Sequence, residues 1–410
     1  MSEHAIRTSH QFVDQQQACE HCVREIDRQG EGISTIKRLR DRIGDELFSI
    51  SLTCARLQSK AISKLGTPDD RENGEPGIWW VTDQSLQQAT PWQVAKYKAG
   101  WLNSGQVADL CCGIGGDSLQ VSGQSSITAV DADPLIAAMA KANLTQGFAG
   151  RQVQVFCQDV TKLSMPAGAD LHIDPDRRSR GRRSSDPREY EPSWDAVVAM
   201  VRSSPAVIKL APMAKLPSEL LPQPHHRCWI SLQRTVREQS LLSGEMIDRH
   251  QLRPGGRSAV AISADASVRT FTPEEDLKAG SVSTPHSFLI DPDSAIRAAA
   301  LTEPFAAYHG LHMLGGPSGF LTTGDSLLQS KAASLMGIIA RVVWWGSCDM
   351  KKIRKELRNR NAYAVAAKVR GTDHDPAKIL KPLRNTGEQP LTLWIGRSDD
   401  RVYAALTQLA

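Results

Sequence analysis

Two carboxylates and three glycines occupy one short stretch of the chain. Asp109 and Asp117 bracket the stretch, and Gly113, Gly115 and Gly116 lie between them. Glycine lets a backbone turn tightly and approach a ligand without a clash at Cβ. A glycine loop between a strand and a helix presents backbone N–H groups to a nucleotide. The apolar run 106–111 ahead of the loop is expected to be a strand, and Asp117–Val121 behind it is expected to open a helix. The spacing therefore indicates a nucleotide-binding loop, and the alternative is an ordinary strand-to-helix turn.

The charge of this loop restricts the class of nucleotide. The dinucleotide pattern requires a third glycine, and this chain has Ser118 at that position. A pyrophosphate would be repelled by Asp109 and Asp117, whereas a ligand with a cationic centre would be attracted. The loop therefore favours S-adenosylmethionine (SAM), with its sulfonium and ammonium groups, over NAD.

Further acids follow the next apolar runs, which we expect to be strands of the same sheet. Asp131 and Asp133 follow the second run, and Asp131 lies about 20 residues beyond the first, where an acid can accept hydrogen bonds from ribose hydroxyls. Asp159 follows the third run and suits an adenine amine, and Asp174 and Asp176 follow the fourth. Any one of these acids alone would be an exposed strand-end residue. Their recurrence at successive strand ends, at one edge of a sheet, indicates a SAM site.

These motifs resemble class I SAM-dependent methyltransferases. The runs Asp109–Asp117, Asp174–Arg178 and Gln88–Pro91, with the C-terminal part of the chain, resemble the bacterial members that carry a THUMP-like C-terminal domain. The glycine loop is also similar to that of trimethylguanosine synthases. The resemblance implies a Rossmann-like α/β domain of seven strands, with the final pair antiparallel, and a smaller α/β THUMP-like domain.

The resemblance also implies which side chains bind SAM and which act on the acceptor. The cofactor-binding residues would be Asp109, Cys111, Gly113, Gly115, Gly116, Asp117, Asp131, Asp133 and Asp159. Cys111 and Cys112 would pack under the cofactor rather than relay a methyl group, and His172, inside the fourth strand, is interpreted as a core histidine.

The acceptor side would be formed by Asp174, Pro175, Asp176 and Arg177. Amino-methyltransferases carry two prolines and an aromatic residue after the first residue of this motif, so Asp176 and Arg177 depart from it. Asp174 can still accept a hydrogen bond from an amine. Asp176 is a candidate general base or a cap, and Arg177 can stack on a base or bind a phosphate.

Five arginines follow within seven residues: Arg177, Arg178, Arg180, Arg182 and Arg183. Such a run beside a methyl-transfer site would bind an RNA backbone. The alternatives are a solvated loop, or arginines paired with Asp186, Glu189 and Glu191. A second basic cluster predicts a helix that binds RNA or forms a solvated face; its residues are Lys351, Lys352, Arg354, Lys355, Arg358 and Arg360.

The remaining sequence predicts three regions. Residues 1–77 form a helical region and linker, 78–280 the methyltransferase domain and 281–410 the THUMP-like domain. The first dozen residues are polar and expected to fray. Apolar residues then recur every three or four positions from Ile36 to Leu57, which predicts one or two helices that dock on the catalytic sheet, with Gly44 as a weak point. Ile78–Val81 is a candidate short strand, and Thr90 is expected to cap the helix that Pro91 begins. The apolar runs at 205–210, 288–291, 340–345, 363–369 and 391–395 are also expected to be strands.

Composition excludes several classes of protein. The net charge is only +4 and no apolar run is long enough for a membrane span, so neither a globally basic protein nor a membrane protein is indicated. Eight cysteines without a regular framework suit a reducing cytoplasm. Cys19 and Cys22 have a metal-ligand spacing but no second pair, so no metal is expected.

The function predicted from the sequence is SAM-dependent methylation of a base in RNA. The alternatives are a methyltransferase that acts on an anionic small molecule or a protein, and a non-catalytic RNA-binding protein that retains the SAM fold. The departure at Asp176 and Arg177 favours the last alternative, and the acids Asp131 and Asp159 count against it.

Overall fold

The computed structural model describes most of the 410-residue chain. The described residues are 3–68, 76–121, 126–146, 152–163, 168–179, 182–202, 204–316, 319–324, 335–398 and 401–409. They form two compact units. The first comprises 1–227 and 238–256, and the second comprises 228–237 and 257–410. The predicted domain boundaries at 77/78 and 280/281 stay a prediction.

The described helices are distributed over the whole chain. They are α1 (Glu3–Asp14), α2 (Gln16–Gln29), α3 (Ile33–Ile43), α4 (Asp45–Leu65), α5 (Asp83–Gln88), α6 (Trp92–Ala99), α7 (Pro134–Gln146), α8 (Trp194–Val201), α9 (Met246–Arg249), α10 (Ser294–Ala298), α11 (Thr302–His309), α12 (Met350–Asn359) and α13 (Pro376–Leu380). None of these is both long and apolar enough to cross a membrane.

The described strands are interspersed with these helices. They are β1 (Gln106–Leu110), β2 (Ser126–Asp131), β3 (Val153–Cys157), β4 (Asp170–Ile173), β5 (Arg178–Ser179), β6 (Arg182–Arg183), β7 (Ala206–Leu210), β8 (His225–Leu232), β9 (Thr235–Ser243), β10 (Arg257–Ile262), β11 (Val268–Phe271), β12 (Phe288–Pro292), β13 (His312–Leu314), β14 (Phe320–Thr323), β15 (Gly337–Ser347), β16 (Ala362–Val369), β17 (Gln389–Ser398) and β18 (Arg401–Leu409).

The sheet of the first unit has the order β3–β2–β1–β4–β7–β9. Its first five strands are parallel, and β9 pairs antiparallel with β7. The strands β1, β4 and β7 are buried along nearly their whole length, and β1 and β7 are mostly apolar, as expected for parallel strands covered on both faces. The order reverses direction at β1, so β1 and β4 diverge at their carboxyl ends and leave a crevice for a ligand there. The strands predicted at 126–131, 153–159, 169–173 and 205–210 are thereby confirmed, and β9 was missed.

The N-terminal helices pack on the catalytic sheet's flank through one shared core. Phe12, expected to lie in a frayed segment, is instead fully buried on α1, with its ring 4.9 Å from that of Trp80. The predicted helical periodicity is confirmed as two helices, because Gly44 ends α3 with a φ of 77°. Met139 and Ala142 on α7 belong to the same core. The helices therefore dock on the methyltransferase region, as predicted, but through α7, and the shared core contains no residue of the sheet.

Two local expectations were wrong. A helix was predicted directly after the glycine loop, but only a 3₁₀ turn, Ser118–Gln120, forms there. The segment Ile78–Val81 is not a strand. It is buried, and Asn143 of α7 satisfies it, donating to the Trp80 carbonyl and accepting from the Trp80 N–H. A side chain replaces the neighbouring strand that this backbone would otherwise require.

The second unit contains a sheet of seven strands in the order β13–β14–β12–β15–β18–β17–β16. The strands predicted around 288–291, 340–345, 363–369 and 391–395 are confirmed as β12, β15, β16 and β17, and the predicted basic helix is α12. Ile353 and Leu357 bury one side of α12, while Lys351, Lys352 and Lys355 are exposed. The helix is thus amphipathic with a basic outer face.

Candidate functional site

A cavity of about 670 Å³ lies in the first unit at the carboxyl ends of β1, β2 and β4. This volume is typical of a site for a nucleotide-sized ligand. The cavity is lined by Thr82, Gln84, Ser85, Gln88, Ala89, Thr90, Cys111, Cys112, Gly113, Ile114, Gly116, Asp117, Asp131, Ala132, Asp133, Leu135, Ile136, Asp159, Val160, Asp174, Pro175, Asp176, Arg177, Glu191 and Pro192. Most of the predicted site residues are therefore brought together.

The glycine loop needs its glycines for two different reasons. Gly113 has a φ of 56°, and its N–H donates to Asp131 Oδ2 at 2.9 Å, which ties the loop to the end of β2. Gly115 has a φ of 83°, and a Cβ there would lie 3.0 Å from Leu144 Cγ. Gly115 therefore allows the loop to pack on α7, and it does not line the cavity as predicted.

Asp131 lies at the cavity wall in a largely dehydrated position. Its carboxylate accepts hydrogen bonds from the N–H groups of Gly113 and Asp133. Burial nevertheless outweighs these donors and raises the pKa of Asp131 to about 6. A carboxylate in this position can accept hydrogen bonds from vicinal hydroxyls once it is deprotonated.

Asp133 and Asp159 occupy the same rim and are engaged in turns. Asp133 Oδ1 accepts from the N–H groups of Leu135 and Ile136 at the start of α7. Asp159 accepts from the hydroxyl and N–H of Thr161, and these hydrogen bonds lower the pKa of Asp159. Both carboxylates keep acceptor capacity, because an ionised carboxylate has about four lone-pair sites.

Asp109 lies below the cavity rather than in its wall. Only 1% of the residue is exposed, and it accepts from the Ser118 hydroxyl at 2.5 Å and contacts His172 Nδ1 at 2.7 Å. Asp109 was predicted to bind the cofactor directly, but in this fold it does not line the cavity. Asp109 instead supports the glycine loop, because its hydrogen bond with Ser118 fixes the 3₁₀ turn that follows the loop. His172 is a satisfied core histidine, as predicted.

A buried lysine, Lys98, connects His172 beneath the cavity with Asp117 in the cavity wall. Lys98 on α6 is 1% exposed, and its Nζ lies 2.8 Å from Asp117 Oδ1, 3.2 Å from Glu238 Oε1 and 3.2 Å from His172 Nε2. The ammonium must donate to Nε2, so Nδ1 of His172 bears the hydrogen that is donated to Asp109. Burial opposes ionisation of Asp117, but the ammonium groups of Lys98 and Lys209 outweigh it and hold the pKa of Asp117 well below its usual range.

A second buried lysine serves the acceptor side. Lys209 on β7 donates to Asp174 Oδ2 at 2.5 Å and to Thr90 Oγ1 at 2.9 Å. Thr90 in turn donates to Asp117 Oδ2 at 2.7 Å. The chain Asp174–Lys209–Thr90–Asp117 thus connects the acid predicted to face the acceptor with the acid of the glycine loop. Thr90 was wrongly predicted to cap α6, because its hydroxyl serves this chain instead.

Asp176 and Arg177 extend the cavity wall beyond β4. The Asp176 backbone forms an antiparallel bridge with Glu191, with N···O distances of 2.8 and 3.0 Å. Its carboxylate accepts a long hydrogen bond from Gln88 Nε2 at 3.4 Å. Arg177 is 9% exposed and is the one basic side chain in the wall within the described part of the chain.

The arginine run forms a short hairpin of β5 and β6, paired through Arg178 with Arg183 and Ser179 with Arg182. Arg182 is exposed, and Arg180 lies outside the described residues. Asp186, one of the acids that could have paired with these arginines, instead pairs with Arg188 at 2.6 Å.

The cysteines offer neither a nucleophile nor a metal site. Burial, together with the nearby carboxylates, raises the pKa of Cys111 and of Cys112 well above the ordinary value, so the reactive thiolate is suppressed. Cys19 and Cys22 are buried on α2. Across the described ranges no three His, Cys, Asp or Glu side chains are arranged to hold a metal ion.

Sequence reasoning missed Lys98, Lys209 and Glu238. A signal for Lys209 was present, because it interrupts an apolar strand that must be buried on both faces, and a buried ammonium requires a carboxylate partner. Lys98 lies in a helix with Lys96, so the sequence does not distinguish the buried lysine from the exposed one.

The balance of charge defines what the cavity can bind. Within the described residues its wall has seven carboxylates and one guanidinium; the acids are Asp117, Asp131, Asp133, Asp159, Asp174, Asp176 and Glu191. Lys98 and Lys209 neutralise two of them from below. The remaining field is negative, which suits a ligand with cationic and hydroxyl groups and disfavours a pyrophosphate.

No family model matches the chain. Two proteins of Mycobacterium tuberculosis, both named as uncharacterized S-adenosylmethionine-dependent methyltransferases, from strains CDC 1551 / Oshkosh and ATCC 25618 / H37Rv, are each 29% identical over 367 residues, which is 88% of this chain and 95% of theirs. The crystal structure of a proposed methyltransferase from Porphyromonas gingivalis W83 matches with a TM-score of 0.69 at 17% identity, over 100% of this chain and 99% of that one. The chain therefore has the α/β fold of class I SAM-dependent methyltransferases, and the predicted enzyme class and its cofactor, SAM, are confirmed.

Proposed function

We propose that this SAM-dependent methyltransferase acts on a base in RNA. The observation that supports it most is the continuity of the acceptor wall, Asp174 to Arg177, with the arginine hairpin of β5 and β6. A wall that can hold a base is followed at once by cations suited to a phosphodiester backbone.

The cofactor half of the cavity fits SAM by the chemistry of its donors and acceptors. When bound, SAM supplies a methyl group activated by its sulfonium. In this proposal Asp131 accepts from the ribose hydroxyls, and Asp159 accepts from the adenine amine. The acids of the wall attract the cationic amino and sulfonium groups, while Asp109, Ser118 and Lys98 keep the glycine loop in place.

On the acceptor side, Asp174 is held in one orientation by Lys209. It can therefore accept a hydrogen bond from the base and position the attacking atom, which lowers the entropic part of the barrier to an in-line transfer. As that atom forms its bond to the methyl carbon, the carbon–sulfur bond breaks and its electron pair stays on sulfur. Where the attacking atom carries a proton, Asp176 is the carboxylate that can receive it.

Arg177 is the group proposed to stack on the base. Among the described lining residues no aromatic side chain is present. A guanidinium plane can replace an aromatic ring in stacking and can also bind a phosphate. The basic outer face of α12 and a THUMP-like role for residues 281–410 would extend the RNA contact in the second unit.

The test is methylation of total cellular RNA with methyl-labelled SAM, followed by digestion and identification of the labelled nucleoside. The matched control is Asp131→Ala, which should bind SAM about tenfold or more weakly and give correspondingly less label at a SAM concentration below the dissociation constant of the wild type. Label in a nucleoside, absent after ribonuclease treatment of the substrate, would support the proposal. Label only in proteins or small molecules would replace RNA with that acceptor. Saturable SAM binding without transfer to any fraction would favour the non-catalytic alternative.

A further inference from the structure

Four cationic side chains of the second unit converge on one buried carboxylate. Asp291, at the end of β12, has a side chain that is 1% exposed. Arg297 Nη2 lies 2.8 Å and Lys368 Nζ 2.9 Å from its oxygens. Arg370 lies 3.2 Å and Arg234 3.5 Å away. We refer to these five residues as the Asp291 cluster.

The Asp291 cluster contains more positive charge than its acid can neutralise. Its formal charge is +3, from four cations and one carboxylate. Within the described residues, Arg234, Lys368 and Arg370 have no second carboxylate within ion-pair distance. Burial acts to raise the pKa of Asp291, but Arg297, Arg370 and Lys368 outweigh it and lower the pKa. One or two cations would suffice to keep this acid ionised.

Three of the four cations are partly exposed to solvent, and besides contacting the Asp291 carboxylate, Arg234 and Arg370 each donate to a backbone carbonyl. The side chains of Arg234 and Arg370 are 34% and 39% exposed, and that of Lys368 is 22% exposed. An arginine has five N–H donors and a lysine three, whereas one carboxylate accepts about four hydrogen bonds. Asp291 therefore orders the cations at its inner side and leaves donors available at the surface.

We propose that the Asp291 cluster is a phosphate-binding site. A tetrahedral anion with several acceptor oxygens matches two guanidinium forks and an ammonium, and its negative charge offsets the repulsion among them. The phosphate belongs to the backbone of the RNA acceptor, and this assignment of its source rests on the proposed function. The site itself is independent of it, because a free phosphorylated compound offers the same oxygens.

Titration calorimetry with inorganic phosphate at constant ionic strength tests the site directly. Saturable binding to the full-length protein is expected, and chloride should give none. Arg370→Gln and Lys368→Gln should each weaken phosphate binding about tenfold, the effect of losing one charge-assisted hydrogen bond. The control is Lys381→Gln, an exposed lysine of the same unit outside the cluster. Absence of binding to the wild type would overturn the proposal whatever the variants do, and so would an equal loss in the control variant when its melting temperature matches that of the wild type.

A second measurement distinguishes the source of the phosphate. Binding of a single-stranded oligoribonucleotide should lose about 0.7 from its log–log salt slope in Arg370→Gln, the value for one phosphate contact. An unchanged slope with retained binding of inorganic phosphate would assign the site to a free phosphorylated ligand. Failure of RNA methylation with an intact phosphate site would reject the proposed function and leave the site in place.

Discussion

Lys209 of β7 and Asp174, the residue that follows the adjacent parallel strand β4, form a close ion pair, 2.5 Å from Nζ to Oδ2. The lysine side chain is 4% exposed and the aspartate 26%. Because Lys209 also contacts Thr90, which donates to Asp117, the pair connects the acceptor side of the cavity with the glycine loop.

Lys209→Met should therefore impair both folding and transfer. The substitution leaves Asp174 without its cation, and breaking such a buried pair costs about 3 kcal/mol of unfolding free energy. Urea denaturation measures this loss, and the turnover number should fall as Asp174 loses its fixed orientation. Lys209→Arg, which keeps the charge, should recover most of the stability. Equal stability of Lys209→Met and wild type would show that the pair does not matter.

Lys98 offers a second test of a buried cation with a close control. Lys98→Met leaves Asp117 and Glu238 without their shared partner, and we expect a loss of about 3–5 kcal/mol in unfolding free energy. Lys96→Met, on the same helix but exposed, should change it by less than about 0.5 kcal/mol. Similar denaturation midpoints for the two variants would contradict the network described around Lys98.

Asp131 makes the affinity for SAM dependent on pH. Its pKa of about 6 lies above the ordinary 3.8, so the protonated fraction in the free protein grows as the pH falls from 7 to 5. The protonated acid accepts fewer hydrogen bonds from a ribose, so the SAM dissociation constant should rise below pH 6, approaching tenfold per unit. Calorimetry between pH 5 and 8 measures it. Asp131→Asn should bind SAM about tenfold or more weakly at pH 7, and its SAM affinity should not change with pH. If the affinity of this variant still depended on pH, a group other than Asp131 would be responsible.

Much of the sheet follows from the sequence because strands buried on both faces are mostly apolar, as in β1 and β7, which have one buried polar residue each, Asp109 and Lys209. Because these strands could be located, and the carboxyl ends of parallel strands meet at one edge of a sheet, the acids that follow them could be predicted to form one site. Tertiary contacts decide the rest. The polar segment around Phe12 is helical because Phe12 packs on Trp80. The segment Ile78–Val81 has no neighbouring strand, and the side chain of Asn143 forms the hydrogen bonds with Trp80 that such a strand would form. Asp109 lies beneath the cavity because His172, its register partner in the neighbouring β4, binds it there, which no local pattern reveals.

Asp174 and Asp176 should act on transfer without affecting cofactor affinity. Both line the wall beyond β4, away from Asp131 at the end of β2. Asp174→Asn and Asp176→Asn should retain SAM affinity by calorimetry, while turnover falls about 100-fold or more where a proton must be removed. Full turnover in either variant would remove that carboxylate from the mechanism. Loss of SAM binding in both would show that the assignment of the two halves of the cavity is wrong.

The arginine hairpin should contact an RNA backbone, and salt dependence can separate this from its alternatives. The combined variant Arg180→Ala, Arg182→Ala and Arg183→Ala should weaken RNA binding and lower the log–log salt slope by about 0.7 for each phosphate of a single strand that the protein no longer neutralises. SAM affinity should not change. A control that removes three exposed lysines elsewhere in the first unit, Lys37→Ala, Lys60→Ala and Lys96→Ala, reduces the net charge equally and should leave most of the slope intact. Arginines paired within the protein would instead lower the melting temperature and leave the slope unchanged. A solvated hairpin would alter neither quantity, so an unchanged slope rejects the RNA contact even where overall affinity falls.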